Sequence, residues 1–102
     1  MTNIEKKKAL QELRKASTRL EESYYLTLEE IGDLKNNYID YMTTAPVNVD
    51  DELRRLSDAD YELCTALLTM LLREDYFSNG AFERRYDRGQ VTPILEKMIK
   101  LL

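Results

Sequence analysis

Apolar residues recur at intervals of three or four along the first forty residues, a spacing that predicts an amphipathic helix. This apolar series comprises Leu10, Leu13, Leu20, Tyr24, Thr27 or Leu28, Ile31, Leu34, Tyr38 and Tyr41. The spacing is close to the heptad of a coiled coil, with Ser17 as a weak member. It predicts one long helix from about Asn3 to Met42, with Thr2 as a candidate N-cap.

Two features within this segment favour a bend or a break. Thr27-Leu-Glu-Glu30 matches a capping box, and Gly32 costs about 1 kcal/mol relative to alanine inside a helix. We expect a continuous helix that bends between Leu26 and Gly32. The alternative is two helices of about 22 and 15 residues.

A linker and a central helix are predicted next. Pro46 disfavours helical geometry at Ala45, so residues 43–57 are predicted to be a linker followed by a short turn. Ser57 is the predicted N-cap of a helix that ends near Tyr76 or Phe77. Eight of the ten residues from Leu63 to Leu72 are apolar, which is typical of a helix surrounded by others.

Glycine and proline divide the remaining chain. Asn79-Gly80 predicts a helix stop, and Gly89 ends a short helix over residues 81–88. Thr92 and Pro93 predict the start of a last amphipathic helix. The predicted fold is therefore all-α, in one helical domain: a long N-terminal helix (1–42) packed on a C-terminal three-helix subdomain (58–102).

The residue types present argue against several functions. The chain has no histidine and a single cysteine, Cys64, which removes the commonest general base and the usual zinc ligands. No apolar run approaches the roughly 18–20 residues needed to cross a bilayer. No apolar block follows the N-terminal lysines, as a secretory signal would require. We expect a cytoplasmic, non-enzymatic protein with no membrane association, no metal and no cofactor.

Charge is unevenly distributed. Residues 1–25 carry six basic and four acidic side chains, residues 26–62 carry three and ten, and residues 63–102 carry six and five. The acidic middle argues against direct DNA binding. An acidic helical surface can imitate a nucleic-acid backbone or simply maintain solubility, and its carboxylates are too generic to predict a Mg²⁺ site.

A polar stripe lies on the otherwise apolar central helix. Glu62, Thr65, Thr69, Arg73 and Tyr76 share one face at helical spacing. Hydroxyls, a guanidinium and a phenol in line can bind an anionic group such as a nucleotide phosphate. The other interpretation is that this stripe meets water or another helix.

The tyrosines suggest an interface. A helix of 40 residues is about 60 Å long, more than a core of this size can cover. Its uncovered part predicts self-association, for which a second copy is the simplest partner. The candidate interface residues are Leu13, Leu20, Tyr24, Tyr25 and Leu28.

Three arginines cluster near the second glycine stop. Arg84 and Arg88 are helical neighbours, with Arg85 between them, and all three can contact an acidic partner. We favour pairing with Glu83 and Asp87 at the surface.

Ten residues of the C-terminal half form a recognisable pattern: Arg73, Phe77, Gly80, Ala81, Phe82, Gly89, Val91, Ile94, Leu95 and Met98. Through this pattern, about residues 58–100 resemble a family of small bacterial and phage proteins of unknown function. Members carry tryptophan-containing segments upstream, whereas this chain has no tryptophan. The resemblance implies a cytosolic helical domain and no catalytic residues.

These observations predict a binding or regulatory protein that self-associates and, given the phage-like resemblance, inhibits a host protein. The alternative is a protein that binds a small ligand through the phosphate of a nucleotide, using Thr65, Thr69 and Arg73.

Overall fold

Helices and their connections make up the whole chain. The computed structural model describes residues 1–102 and contains no strand. The α-helices are α1 (Asn3–Ala16), α2 (Glu21–Ile31), α3 (Val49–Leu53), α4 (Tyr61–Phe77), α5 (Ala81–Asp87) and α6 (Thr92–Leu101). Two 3₁₀ helices, Tyr38–Tyr41 and Arg54–Asp58, flank α3. The predicted all-α fold is confirmed.

Helix α4 is the central element, as its composition predicts. All nine residues from Cys64 to Leu72 are buried, because α2, α3, α5, α6 and the first 3₁₀ helix all pack against it. Its N-cap is Asp60, whose carboxylate accepts a hydrogen bond from the backbone amide of Leu63 at 2.8 Å. The predicted cap, Ser57, lies instead in the second 3₁₀ helix.

The prediction of one long N-terminal helix is wrong. Helix α1 ends at Ser17, which adopts a left-handed conformation (φ 50°), and α2 begins after the extended residue Leu20. The alternative of two helices placed its boundary at residues 26–32, but Thr27 lies inside α2 and Gly32 ends that helix at φ 79°. The molecule is 36 Å along its longest axis, so a straight helix of about 60 Å would extend well beyond it.

The break lets both helices contribute to one core. Helix α1 folds back against α2 and α6, and its Leu10 and Leu13 are buried with Tyr24 and Leu28 of α2. A continuous helix would separate Leu13 from Leu28 by about 22 Å along its axis. The apolar series is therefore core-facing on both sides of the turn, which leaves no long uncovered helix.

The predicted linker is held in place by a buried carboxylate. Glu52 of α3 accepts hydrogen bonds from the backbone amides of Thr43 (3.0 Å) and Thr44 (2.8 Å), from both threonine hydroxyls, and from Arg55 (2.8 Å). Burial by itself raises the pKa of Glu52, but the hydrogen bonds from Thr44 and Arg55 outweigh it and lower that pKa to about 2. Residues 43 and 44 are thus anchored to α3.

The glycine and proline predictions hold with small shifts in register. Gly80 (φ 85°) lies between α4 and α5, and Gly89 (φ 74°) follows α5. Thr92 is the first residue of α6 rather than its cap, and Pro93 lies in the first turn. None of the helices is long and apolar enough to span a bilayer.

Candidate functional site

The two threonines of the predicted polar stripe are buried inside the protein. The hydroxyl of Thr65 donates to the carbonyl of Glu62 at 2.7 Å, and that of Thr69 donates to the carbonyl of Thr65 at 2.8 Å. Thr69 also accepts a hydrogen bond from the backbone amide of Lys35 at 3.1 Å. Thr65 therefore has no access to a ligand, and the hydroxyl of Thr69 is already engaged on both sides.

The other three members of the stripe reach the surface, and Glu62 at its N-terminal end pairs with Lys35. Arg73 is half-buried and donates from Nη2 to Oδ1 of Asn36 at 3.2 Å. Tyr76 is 79% exposed. The predicted stripe thus divides into a buried middle, which is structural, and two surface ends, with Arg73 and Tyr76 at the C-terminal end of α4.

The predicted interface residues divide in the same way. Leu13, Tyr24 and Leu28 are buried in the core of a single chain, so they are not available to a second copy. Tyr24 packs on Phe82 with a ring separation of 4.9 Å, and its hydroxyl donates to the carbonyl of Thr18 at 2.7 Å. Burial raises the pKa of Tyr24 to about 12. Leu20 is 58% exposed and Tyr25 is half-buried.

A cavity between α2 and α4 brings together residues from both predicted sets. Its volume is about 300 Å³. Its lining comprises Glu21, Tyr25, Leu34, Thr69, Leu72, Arg73, Asp75, Tyr76 and Asn79. A shallower depression of about 460 Å³ adjoins it and shares Glu21, Asp75 and Asn79 with it. We call these two depressions together the α2–α4 groove.

The groove is negatively charged. The cavity contains two carboxylates, Glu21 and Asp75, and one guanidinium, Arg73. The adjoining depression adds Glu22, and also Glu83, which pairs with Arg19. Burial raises the pKa of Glu21, and the negative charges of Asp75 and Glu22 raise it further. A phosphate would meet this repulsion, so the charge of the groove disfavours an anionic ligand.

Two exposed aromatic side chains stand at the edge of the groove. Phe77 is 83% exposed and follows Tyr76, and their rings meet edge to face with centroids 5.1 Å apart. We call this pair the aromatic ridge. Because Tyr76 also lines the cavity, the ridge and the groove form one continuous surface.

The arginines of α5 make structural contacts that differ from the predicted ones. Glu83 and Asp87 pair with Arg19, which precedes α2, rather than with Arg84 and Arg88. Arg84 donates to the carbonyl of Asn79 at 3.3 Å. The interactions of Arg85 are intramolecular, with Glu74 (2.9 Å) and Asp50 (2.6 Å).

Sequence reasoning missed the two carboxylates of the cavity, Glu21 and Asp75. Glu21 and Asp75 lie more than fifty residues apart in the chain, and each is a common surface residue type with no motif around it. The available signal was weak: Asp75 lies between Arg73 and Tyr76, next to the predicted stripe. No group of three or more Cys, Asp or Glu side chains is arranged to hold a metal ion.

Comparison with known proteins gives a family but no characterised relative. No curated protein and no solved structure matches the chain. Residues 25–102 match a family of unknown function (DUF6508), a longer stretch than the 58–100 of the predicted resemblance. The match includes Tyr25, Arg73, Asp75 and Tyr76 of the groove, but not α1 or Glu21. Because the matched stretch makes up most of the chain, the chain belongs to this family of unknown function (DUF6508).

Proposed function

We propose that this protein is a non-enzymatic binding protein, and that the aromatic ridge with the α2–α4 groove is the surface on which a partner protein docks. The observation that carries the proposal is the exposure of Tyr76, which lines the cavity, with Phe77 exposed beside it. Aromatic residues are enriched at protein interfaces and at the few positions that dominate binding energy.

The energetics of exposure support this choice. Burying a phenylalanine side chain is worth about 1.5–3 kcal/mol, and Phe77 leaves most of that unrealised. Its neighbours in α4 from Cys64 to Leu72 are buried. A partner that covers Tyr76 and Phe77 would gain this free energy, and the adjoining cavity provides a depression into which a partner side chain can fit.

The same proposal includes a biological setting. We propose a regulatory role in a bacterial or phage system, such as inhibition of a host protein, supported by the resemblance of residues 58–100. We also propose a cytoplasmic location. Its support is Cys64, a buried free thiol whose pKa burial raises to about 11, since unpaired thiols are typical of reducing compartments.

The proposal also includes self-association, but through a different surface from the one that the sequence predicts. Leu13, Tyr24 and Leu28 are core residues, whereas Leu20, Tyr25 and the aromatic ridge are accessible. A second copy docking on the ridge would satisfy the same physical requirement as another protein. Light scattering up to high micromolar concentration measures whether the mass of the particle rises above that of one chain.

The partner is sought with a photo-reactive phenylalanine analogue in place of Phe77, and the same analogue at Ile4 serves as the control. Both positions are exposed to a similar degree, and Ile4 lies on α1. Partners cross-linked from position 77 alone are purified, and their dissociation constants are measured. We expect the Tyr76→Ala/Phe77→Ala variant to bind at least about tenfold more weakly, and Ile4→Ala to bind unchanged.

Equal cross-linking from both positions, or an unchanged affinity in the double variant, would contradict the proposal. If the cross-linked species is a second copy of this chain, the same variants are compared in a dimerisation assay.

The nucleotide-phosphate alternative has less support. Of its three residues, Thr65 has no access to a ligand and Thr69 is engaged in hydrogen bonds. Arg73 remains, facing a cavity that contains two carboxylates. A rise in melting temperature with a nucleotide, abolished by Arg73→Ala, would restore this alternative.

A further inference from the structure

Six carboxylates in this protein are at least partly withdrawn from water, and four of them have a basic partner. The four are Asp33 with Lys6, Glu52 with Arg55, Glu74 with Arg85, and Glu83 with Arg19. The remaining two, Glu21 and Asp75, form no salt bridge, and both line the same cavity. The partly buried carboxylates that lack a basic partner therefore lie together in this one cavity.

Partial burial of a carboxylate without a counter-charge is unfavourable. Asp75 recovers part of this cost through one oxygen, which accepts a hydrogen bond from the backbone amide of Phe82 at 3.0 Å. Its other oxygen and both oxygens of Glu21 have no hydrogen-bond donor in the protein. Burial raises the pKa of Glu21, and the neighbouring charges of Asp75 and Glu22 raise it further.

The other walls of the cavity are suited to a cation. Tyr25 and Tyr76 contribute aromatic rings, and a cation placed over such a ring is attracted by its quadrupole. A volume of about 300 Å³ is at the small end of the range for ligand pockets, and it fits one side chain rather than a larger molecule. The one basic group of the lining, Arg73, is hydrogen-bonded to Asn36.

We infer that this cavity accepts an arginine side chain of the docked partner, with its guanidinium between Glu21 and Asp75. Arginine is favoured over lysine because a planar guanidinium donates several hydrogen bonds to carboxylates and also stacks on tyrosine rings. The inference depends on the proposed function, since it names the side chain that the docking surface would recognise.

The first test uses a small probe and no partner. Nα-acetyl-arginine amide is titrated into the ¹⁵N-labelled protein, and backbone amide shifts are followed by NMR. We expect saturable shifts at Tyr25, Asp75 and Tyr76, with a dissociation constant on the order of millimolar. Nα-acetyl-citrulline amide has nearly the same shape without the charge, and it is expected to produce no saturable shift.

Matched variants locate the site. Glu21→Gln/Asp75→Asn keeps the size of both side chains, and the asparagine can still accept from the amide of Phe82. We expect this variant to bind the arginine probe at least about tenfold more weakly, whereas Glu30→Gln, an exposed carboxylate on the same helix, binds as the wild type does. Equal shifts with citrulline, or wild-type affinity in the double variant, would overturn the inference.

The second test separates this inference from the proposed function. If a cross-linked partner loses affinity for Tyr76→Ala/Phe77→Ala but not for Glu21→Gln/Asp75→Asn, the docking surface stands and the arginine inference fails. If the arginine probe binds as expected but the ridge variant leaves partner affinity unchanged, the cavity binds a guanidinium and the proposed docking surface fails.

Discussion

Tyr61 donates a hydrogen bond from its hydroxyl to Oδ2 of Asp33 at 2.6 Å, and so connects the first turn of α4 to the end of α2. Lys6 of α1 approaches the same carboxylate at 3.1 Å. Asp33 is buried, so these two contacts supply the polar partners that a buried carboxylate requires. Three residues that are distant in the sequence, Lys6, Asp33 and Tyr61, thus meet at one buried carboxylate.

Removal of the Tyr61 hydroxyl should destabilise the protein. We expect Tyr61→Phe to lower the free energy of unfolding by about 1.5–3 kcal/mol, the usual range for a hydrogen bond to a charged group. Tyr38 is partly buried and its hydroxyl makes no hydrogen bond within the protein, so Tyr38→Phe is the control. Urea unfolding measures the free energy of unfolding of both variants. Equal losses of stability would show that the hydrogen bond between Tyr61 and Asp33 contributes nothing of its own.

The Glu52 carboxylate should make stability depend on pH. Its pKa is lowered to about 2 in the folded protein, against about 4.3 in an unfolded chain, so its contribution is complete above the unfolded value. That contribution is lost as pH falls through the range from about 4.3 to 2. The contribution of this carboxylate to the free energy of unfolding is on the order of 3 kcal/mol, because each unit of pKa difference corresponds to about 1.4 kcal/mol.

We therefore expect Glu52→Gln to destabilise the protein at pH 7 and to have a smaller effect near pH 2. Denaturant unfolding at several pH values measures the free energy of unfolding of the wild type and of Glu52→Gln. The titration of the other carboxylates affects both proteins equally, so it cancels in the difference between the two free energies. A difference that does not change with pH would contradict this account.

The break between α1 and α2 can be tested by whether one substitution stabilises or destabilises the protein. Ser17 is left-handed (φ 50°), a conformation that costs an L-residue roughly 1–2 kcal/mol and costs glycine little. Ser17→Gly should therefore stabilise the protein by up to about 1 kcal/mol.

In a continuous helix the same glycine would destabilise by about 0.5–1 kcal/mol. Ala16→Gly, at the last residue of α1, is the control and should be destabilising. Thermal unfolding of the two variants shows whether each substitution stabilises or destabilises the protein. Loss of stability in Ser17→Gly would be evidence against the break at this residue.

The aromatic ridge should be dispensable for folding. Tyr76 and Phe77 are mostly exposed, so their combined substitution by alanine is expected to change the free energy of unfolding by less than about 1 kcal/mol. Phe82 is fully buried against Tyr24, and Phe82→Ala is expected to cost about 3–5 kcal/mol. A ridge variant as unstable as Phe82→Ala would show that the ridge belongs to the core.

The C-terminal half was largely predictable from local patterns. An apolar run from Leu63 to Leu72 indicates a surrounded helix wherever it occurs, and Gly80 and Gly89 mark positions of positive φ. The N-terminal half was not, because its apolar spacing continues in register across Ser17. The same spacing describes one long helix or two helices packed on one core, and only the position of that core distinguishes them.

The groove was partly predictable. Arg73 and Tyr76 belong to a stripe visible in the sequence, and Tyr25 was a candidate interface residue. Their convergence with Glu21 and Asp75 results from the packing of α2 against α4. Burial of Thr65 also follows from packing, because a threonine can satisfy its hydroxyl on its own helix and then behave as a core residue.

The sequence by itself determined the helical class, the central position of α4 and the C-terminal ends of α4 and α5, because helix periodicity and left-handed glycines act over a few residues. The tertiary structure decided where the N-terminal chain turns, since Leu13, Tyr24 and Leu28 can share one core only if it does. It also decided which carboxylates find a basic partner, because electrostatic pairing depends on distance in space and not on separation along the chain.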